Sequence, residues 1–295
     1  MTPSHKPHWQ TYASAIASGV LGDWLSERKN PLAVRTALYQ HGRPVVLERG
    51  HLSQVWPHAT SRIALFVHGL TELESIWDYP RQPGVSYASL LAEEFGITPL
   101  FLRYNSGQAI PESGQQLDLI LRGLAEHWPV ALEEINLVGH SMGGLVIRAA
   151  CHQGEVGEAR WIPHVQRCVY LGSPHQGAPL ARLAHHSAKL LRTLPRDYVR
   201  VPGEILDLRS QGIRDLQRGR IHPEGHTPAM LASARHYAVS GSLARHPHNP
   251  VNWLLGDALV PERSARGLQT LTDHAHFPGI GHIGLTHHSD VYLTL

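Results

Sequence analysis

Glu133-Glu134-Ile135-Asn136-Leu137-Val138-Gly139-His140-Ser141-Met142-Gly143-Gly144-Leu145 is a short apolar run that ends abruptly in glycines around one serine. A helix-like segment, Leu145 to His152, follows at once. Strand, sharp turn and helix, with a serine at the turn, is the pattern of a nucleophile elbow, G-x-S-x-G, here Gly139 to Gly143. The flanking positions must be small because the turn is tight, and glycine has no β-carbon to clash. Such a turn lifts the Ser141 hydroxyl above the edge of a sheet. It also points the Met142 N–H, at the positive end of a helix, toward the same spot.

The remainder of the chain sets the scale. Its 295 residues suit one large α/β domain or two small ones. Hydrophobic residues make up 42%, enough for a sizeable core, and charged residues only 17%, with a formal net charge of +2. With no basic tail, that balance argues against a nucleic-acid partner. The 23 histidines are unusual, and most are expected on the surface. Cys151 and Cys168 sit in elements beside the elbow and are expected to be buried and reduced. The apolar stretch Tyr12 to Leu21 is broken by Ser14, Ser18 and Gly19, so it does not read as a secretion signal. No run approaches the ~18 apolar residues of a membrane span. A soluble, cytoplasmic protein is expected.

Along the chain, Tyr12, Ile16, Val20 and Trp24 recur every four residues and predict a helix. Pro31 then opens a second one, Leu32 to Gln40. Residues 1–60 are therefore expected to form an N-terminal helical extension, a cap on the main domain of residues 61–295. In that domain Ile63 to Val67, Pro99 to Tyr104, the run before Ser141, Arg167 to Leu171, Tyr237 to Ser240 and His276 to Ile280 read as strands. Helical segments, from Tyr87 to Glu94 and from Gln115 to Trp128, lie between the early strands. The alternation predicts a mostly parallel central sheet with helices on both faces. It lapses over 178–234, where Leu180 to Leu194 is amphipathic between Pro179 and Pro195. This stretch reads as a lid-like helical insertion, or as ordinary surface helices.

With Ser141 as nucleophile, a Ser, acid, His order places the acid after a late strand and the base after the last one. Asp257, beside Gly256 in the loop after the Tyr237 strand, fits the acid, with Asp273 as the alternative. His282, between Gly281 and Ile283, fits the base, with His287 second. His282 would take the Ser141 proton as the hydroxyl attacks an acyl carbonyl, and Asp257 would hold the imidazole. The oxyanion needs two donors, assigned to the backbone N–H of Met142 and of Leu70, in the loop after Val67. No cofactor is called for, and no histidine or acidic set has firm metal-ligand spacing in the sequence.

Phe66-Val67-His68-Gly69-Leu70, Gly139 to Leu145, Gly172-Ser173-Pro174-His175-Gln176-Gly177-Ala178 and Gly256-Asp257-Ala258-Leu259-Val260-Pro261 together resemble the alpha/beta-hydrolase superfamily. Within it the chain is similar to bacterial lipase/esterase-like and PGAP1-like hydrolases, over about residues 61 to 295. The resemblance implies an eight-stranded, mostly parallel sheet and hydrolysis of carboxylic esters, the substrate a small-molecule or lipid ester. Transient contact with a lipid surface is a further partner it suggests. Acyl transfer to an alcohol through the same acyl-enzyme, and a noncatalytic binding protein on the same fold, are the alternatives.

Overall fold

The computed structural model describes residues 34–178, 210–244 and 273–295. The expected helix from Thr11, the amphipathic segment Leu180 to Leu194 and Asp257 lie outside the described residues. The strands are β1 (Ala37–Gln40), β2 (Arg43–Pro44), β3 (Arg62–Val67), β4 (Thr98–Arg103), β5 (Glu134–His140), β6 (Val165–Leu171), β7 (Arg235–Ser242) and β8 (Asp273–Pro278). They form one eight-stranded sheet in the order β2-β1-β4-β3-β5-β6-β7-β8. β1 runs antiparallel to both β2 and β4, and every other pairing is parallel.

The helices are α1 (Arg49–Val55), α2 (Tyr87–Phe95), α3 (Ile110–His127), α4 (Met142–Val156), α5 (Gln211–Arg218) and α6 (Ser289–Tyr292). β3 shows why the sheet needs helices on both faces. Ile63, Leu65 and Val67 join a core with Leu52 of α1, Leu117 and Leu121 of α3 and Leu145 of α4. Ala64 and Phe66 point the other way, into a core with Tyr87 and Leu91 of α2 and Val291 of α6. Side chains alternate at a period of two, so a strand apolar throughout has two faces to bury.

Chain order places the site. β3 leads through α2 to β4 on one side, whereas β5 leads through α4 to β6 on the other. The loops leaving the C-terminal ends of adjacent β3 and β5 therefore diverge, and a crevice opens where they part. The Gly69 loop and Ser141 lie at those two ends.

Two expectations need correction. Of the expected helix Leu32 to Gln40, the described residues 34–40 are not helical: 37–40 are the strand β1, hydrogen-bonded along the edge of β4. His41 and Gly42, with φ of 49° and 73°, make the two-residue turn into β2. Positive φ at both central residues is the hairpin geometry that matches strand twist. The apolar spacing of Val34 and Leu38 suits one helix face, but the open edge of β4 wins. Arg103 of β4 lies 3.8 Å over the Tyr39 ring and strengthens the pairing. The described part of the expected N-terminal cap is thus a sheet edge followed by α1. The final strand also lies earlier than expected, at Asp273–Pro278.

If β1 is an integral strand, Leu38, 1% exposed, is a core residue. Leu38→Ala is expected to lower unfolding free energy by about 2–5 kcal/mol in urea titration; a loss under about 0.5 kcal/mol, as at surface positions, would contradict this packing.

Candidate active site

Ser141 stands between β5 and α4 with φ 52° and ψ −121°. A non-glycine residue there costs on the order of 1–3 kcal/mol and persists only when its surroundings enforce it. The enforcement is visible. The Ser141 N–H donates to the Leu171 carbonyl of β6 at 2.8 Å. A β-carbon on Gly143 would stand 2.2 Å from the Val67 carbonyl oxygen, so α4 closes directly onto the end of β3. Met142 is the first residue of α4, and its N–H is one of those that a helix start leaves without an intrahelical acceptor.

The loop after β3 is held against this turn. A β-carbon at Gly69 would lie 2.9 Å from the Ser141 β-carbon. His68 is fully buried and stacks on Tyr104, ring centroids 4.6 Å apart. Its Nδ1 faces the Gly69 carbonyl at 2.9 Å and its Nε2 faces the Tyr104 N–H at 3.4 Å. One donor and one acceptor suit the neutral ring, and burial, the largest influence, lowers its pKa. The Gly69 N–H donates to Glu72 Oε2 at 2.7 Å, and the Thr71 N–H to Ser106 Oγ at 2.9 Å. Between them, the Leu70 N–H has no acceptor among the described residues.

His282 opens the 3-10 turn His282–Thr286 after β8 and is 6% exposed. Its position is set from several directions. The Tyr87 hydroxyl faces the carbonyls of Leu285 and His288 at 3.1 and 3.0 Å and accepts the His288 N–H at 2.8 Å. Thr286 Oγ1 donates to the Ile76 carbonyl. A β-carbon on Gly172, φ 62°, would come within 3.0 Å of His282 Nδ1, so only glycine leaves the ring room beside the end of β6. The His282 and His140 rings lie 4.6 Å apart.

The structure thus brings Ser141, Met142, the Leu70 loop and His282 to one end of the sheet. His287, the alternative base, instead packs edge-on to Tyr79 and faces Thr286 Oγ1 at 3.0 Å. Asp273, the alternative acid, is the exposed first residue of β8, paired with Tyr237. That is the N-terminal end of a parallel strand, opposite the end that carries Ser141.

One participant escaped the sequence reading. Glu72 is the single charged residue between Ile63 and Leu73, which was the available signal. Its Oε2 faces His140 Nδ1 at 2.8 Å, while His140 Nε2 faces the His282 carbonyl at 3.1 Å. Both ring nitrogens of His140 thus face oxygens, one of the Glu72 carboxylate and one of the His282 backbone. Burial pushes the Glu72 pKa up. The charge and hydrogen bond of His140, the charge of His282 and the Gly69 N–H together outweigh it and bring the pKa to about 2. Glu72 and His140 therefore link the loop after β3, the elbow and the turn that carries His282.

A strained serine between a parallel strand and a helix, at a chain reversal of an eight-stranded sheet, decides the fold. This chain is an alpha/beta hydrolase by fold. A family model described as a PGAP1-like alpha/beta domain matches residues 117–199. Among solved structures, the chain is similar to the mature form of a lipase, BlEst2, from Bacillus licheniformis. The TM-score is 0.55 at 19% identity, covering 85% of this chain and 92% of the lipase. The propeptide form of that lipase gives a TM-score of 0.56 at 19% identity, covering 80% of this chain and 50% of that one. No curated protein matches.

Glu72→Gln should break the buried pair with His140 and lower stability at neutral pH by about 3–5 kcal/mol. The folded pKa is depressed from 4.5 to about 2. Its contribution is therefore present above the unfolded value and lost as pH falls through the folded one. Stability against pH, measured by urea unfolding, should show wild type and variant converging across that window; a constant gap would exclude the linkage.

Proposed function

We propose that this protein is a serine hydrolase that cleaves carboxylic esters through an acyl-enzyme on Ser141. The observation that carries the reading is the strained Ser141 backbone at the end of the sheet where the loop after β3 closes on it and where the buried His282 also lies, beside the end of β6. Strain of this kind clusters where a side chain must be presented rather than packed. The fold is also that of a lipase, which suits the chemistry without specifying the substrate.

In this reading His282 removes the Ser141 Oγ proton as the oxygen attacks the ester carbonyl. The tetrahedral oxyanion accepts from the N–H groups of Leu70 and Met142. His282 then returns its proton to the departing alkoxide, and a water molecule activated by the same ring hydrolyses the acyl-enzyme. Asp257, outside the described residues, is proposed as the acid that orients His282. It follows β7 and precedes β8, as the order Ser, acid, His requires. Glu72 and His140 act one step back, holding the donor loop and the His282 turn in register. The substrate is proposed to be a small-molecule or lipid ester, the latter presented at a lipid surface. Among the described residues no helix is long and apolar enough to cross a membrane.

Ser141→Ala should abolish turnover of p-nitrophenyl esters and labelling by a fluorophosphonate probe, with the circular dichroism spectrum unchanged. Labelling that persists in this variant would reject Ser141 as nucleophile. His282→Ala should lower kcat by roughly three to four orders of magnitude, whereas His287→Ala should retain most activity. The reverse ranking would move the base to His287.

A further inference from the structure

We propose that His152, His222 and His226 form a binding site for a divalent transition-metal ion, best suited to zinc, which fastens the segment before β7 to the back of α4. Their ligand nitrogens lie within 4.8 Å of one another. The rings of His222 and His226 are 3.8 Å apart between centroids, and His152 is 5.4 and 6.3 Å from them. Around a tetrahedral zinc ion, with bonds of about 2.0–2.1 Å, ligand nitrogens sit about 3.3 Å apart. The cluster therefore needs a closure of up to about 1.5 Å, within reach of χ rotations. His152 and His222 are half-buried and His226 is exposed, so the site opens to solvent and an ion can enter.

The backbone builds this convergence. His222-Pro223-Glu224-Gly225 is a turn closed by a 2.9 Å bond from the Gly225 N–H to the His222 carbonyl, with Gly225 at φ 83°. Proline second and glycine fourth are the residues such a turn favours. It returns His226 over His222. The segment is also tied to α4 elsewhere, since Arg148 Nη2 donates to the Pro228 carbonyl at 3.0 Å. His222 Nδ1 accepts from the Glu224 N–H at 3.3 Å, a long bond that a metal ion at that nitrogen would replace. Glu224 Oε2 lies 3.8 Å from His226 Nδ1, placed to orient that ring or to fill a fourth position.

Three imidazoles select zinc, copper, nickel or cobalt over magnesium and calcium, which prefer oxygen ligands. The site is remote from the elbow. His152 lies eleven residues past Ser141 on the same helix, about 16 Å at 1.5 Å per residue. An ion here stabilises the structure and takes no part in bond breaking. No metal-ligand spacing shows in the sequence because His152 comes seventy residues before His222.

The test uses the full chain without a histidine tag, stripped with EDTA and desalted. Zinc titration by calorimetry should give one site per chain at micromolar affinity or tighter, and Co²⁺ should give the visible absorption of a tetrahedral complex. Zinc at about a hundred times its Kd should raise Tm by about 5 °C or more. His222→Gln and His226→Gln should each abolish the single site and the Tm shift, whereas His164→Gln, elsewhere on the surface, should leave both intact. Zinc binding unchanged in the two variants, only weak multisite binding by the wild type, or no binding would overturn the site. Activity of any kind is not needed for the readout, so the outcome is independent of the hydrolase reading.

Discussion

The left-handed backbone at Ser141 is the constraint to which the rest of the structure answers. A serine does not hold φ 52° by itself. It is held because β5 delivers the chain at the sheet's C-terminal edge, β6 supplies a carbonyl to its N–H, and α4 turns away against the end of β3. A side chain added at Gly143 would push α4 off β3 and relax the turn. Tight packing and backbone strain are thus two aspects of one arrangement: the core of β3, β5, β6 and α4 supplies the stability that keeps the strained residue in place.

Around that turn the polar groups are buried and matched. His68 is kept neutral by desolvation and anchors the loop after β3 through Tyr104, while Glu72 is kept ionised by His140 and the Gly69 N–H. The neighbouring N–H groups, of Gly69 and Thr71, are engaged in hydrogen bonds to side chains, and that of Leu70 has no acceptor among the described residues. Glu72 and His140 also connect this loop to the His282 carbonyl, so the loop after β3 and the turn after β8 share a single buried network.

Much of this was legible from residues close in sequence. The glycines around Ser141, the apolar runs of β3, β5 and β6 and the two-faced pattern of α3 carry their own periods and turn chemistry. His282 was legible by order alone, following the last strand. Leu32 to Gln40 misled because four-residue apolar spacing describes both a helix face and a short strand at a sheet edge, and only the partner strand distinguishes them. Glu72 was visible as a charge in an apolar stretch, yet its partner His140 is 68 residues away.

By itself the sequence determined the strand–turn–helix around Ser141, the alternating parallel layers and the position of His282 after the final strand. These follow from local sterics and periodic burial, which neighbouring residues specify. The tertiary structure alone decided that residues 37–40 join the sheet, that Glu72 and His140 clamp the site, and that His152 meets His222 and His226. Each of those depends on groups distant along the chain, brought within bonding reach only once the two cores have packed.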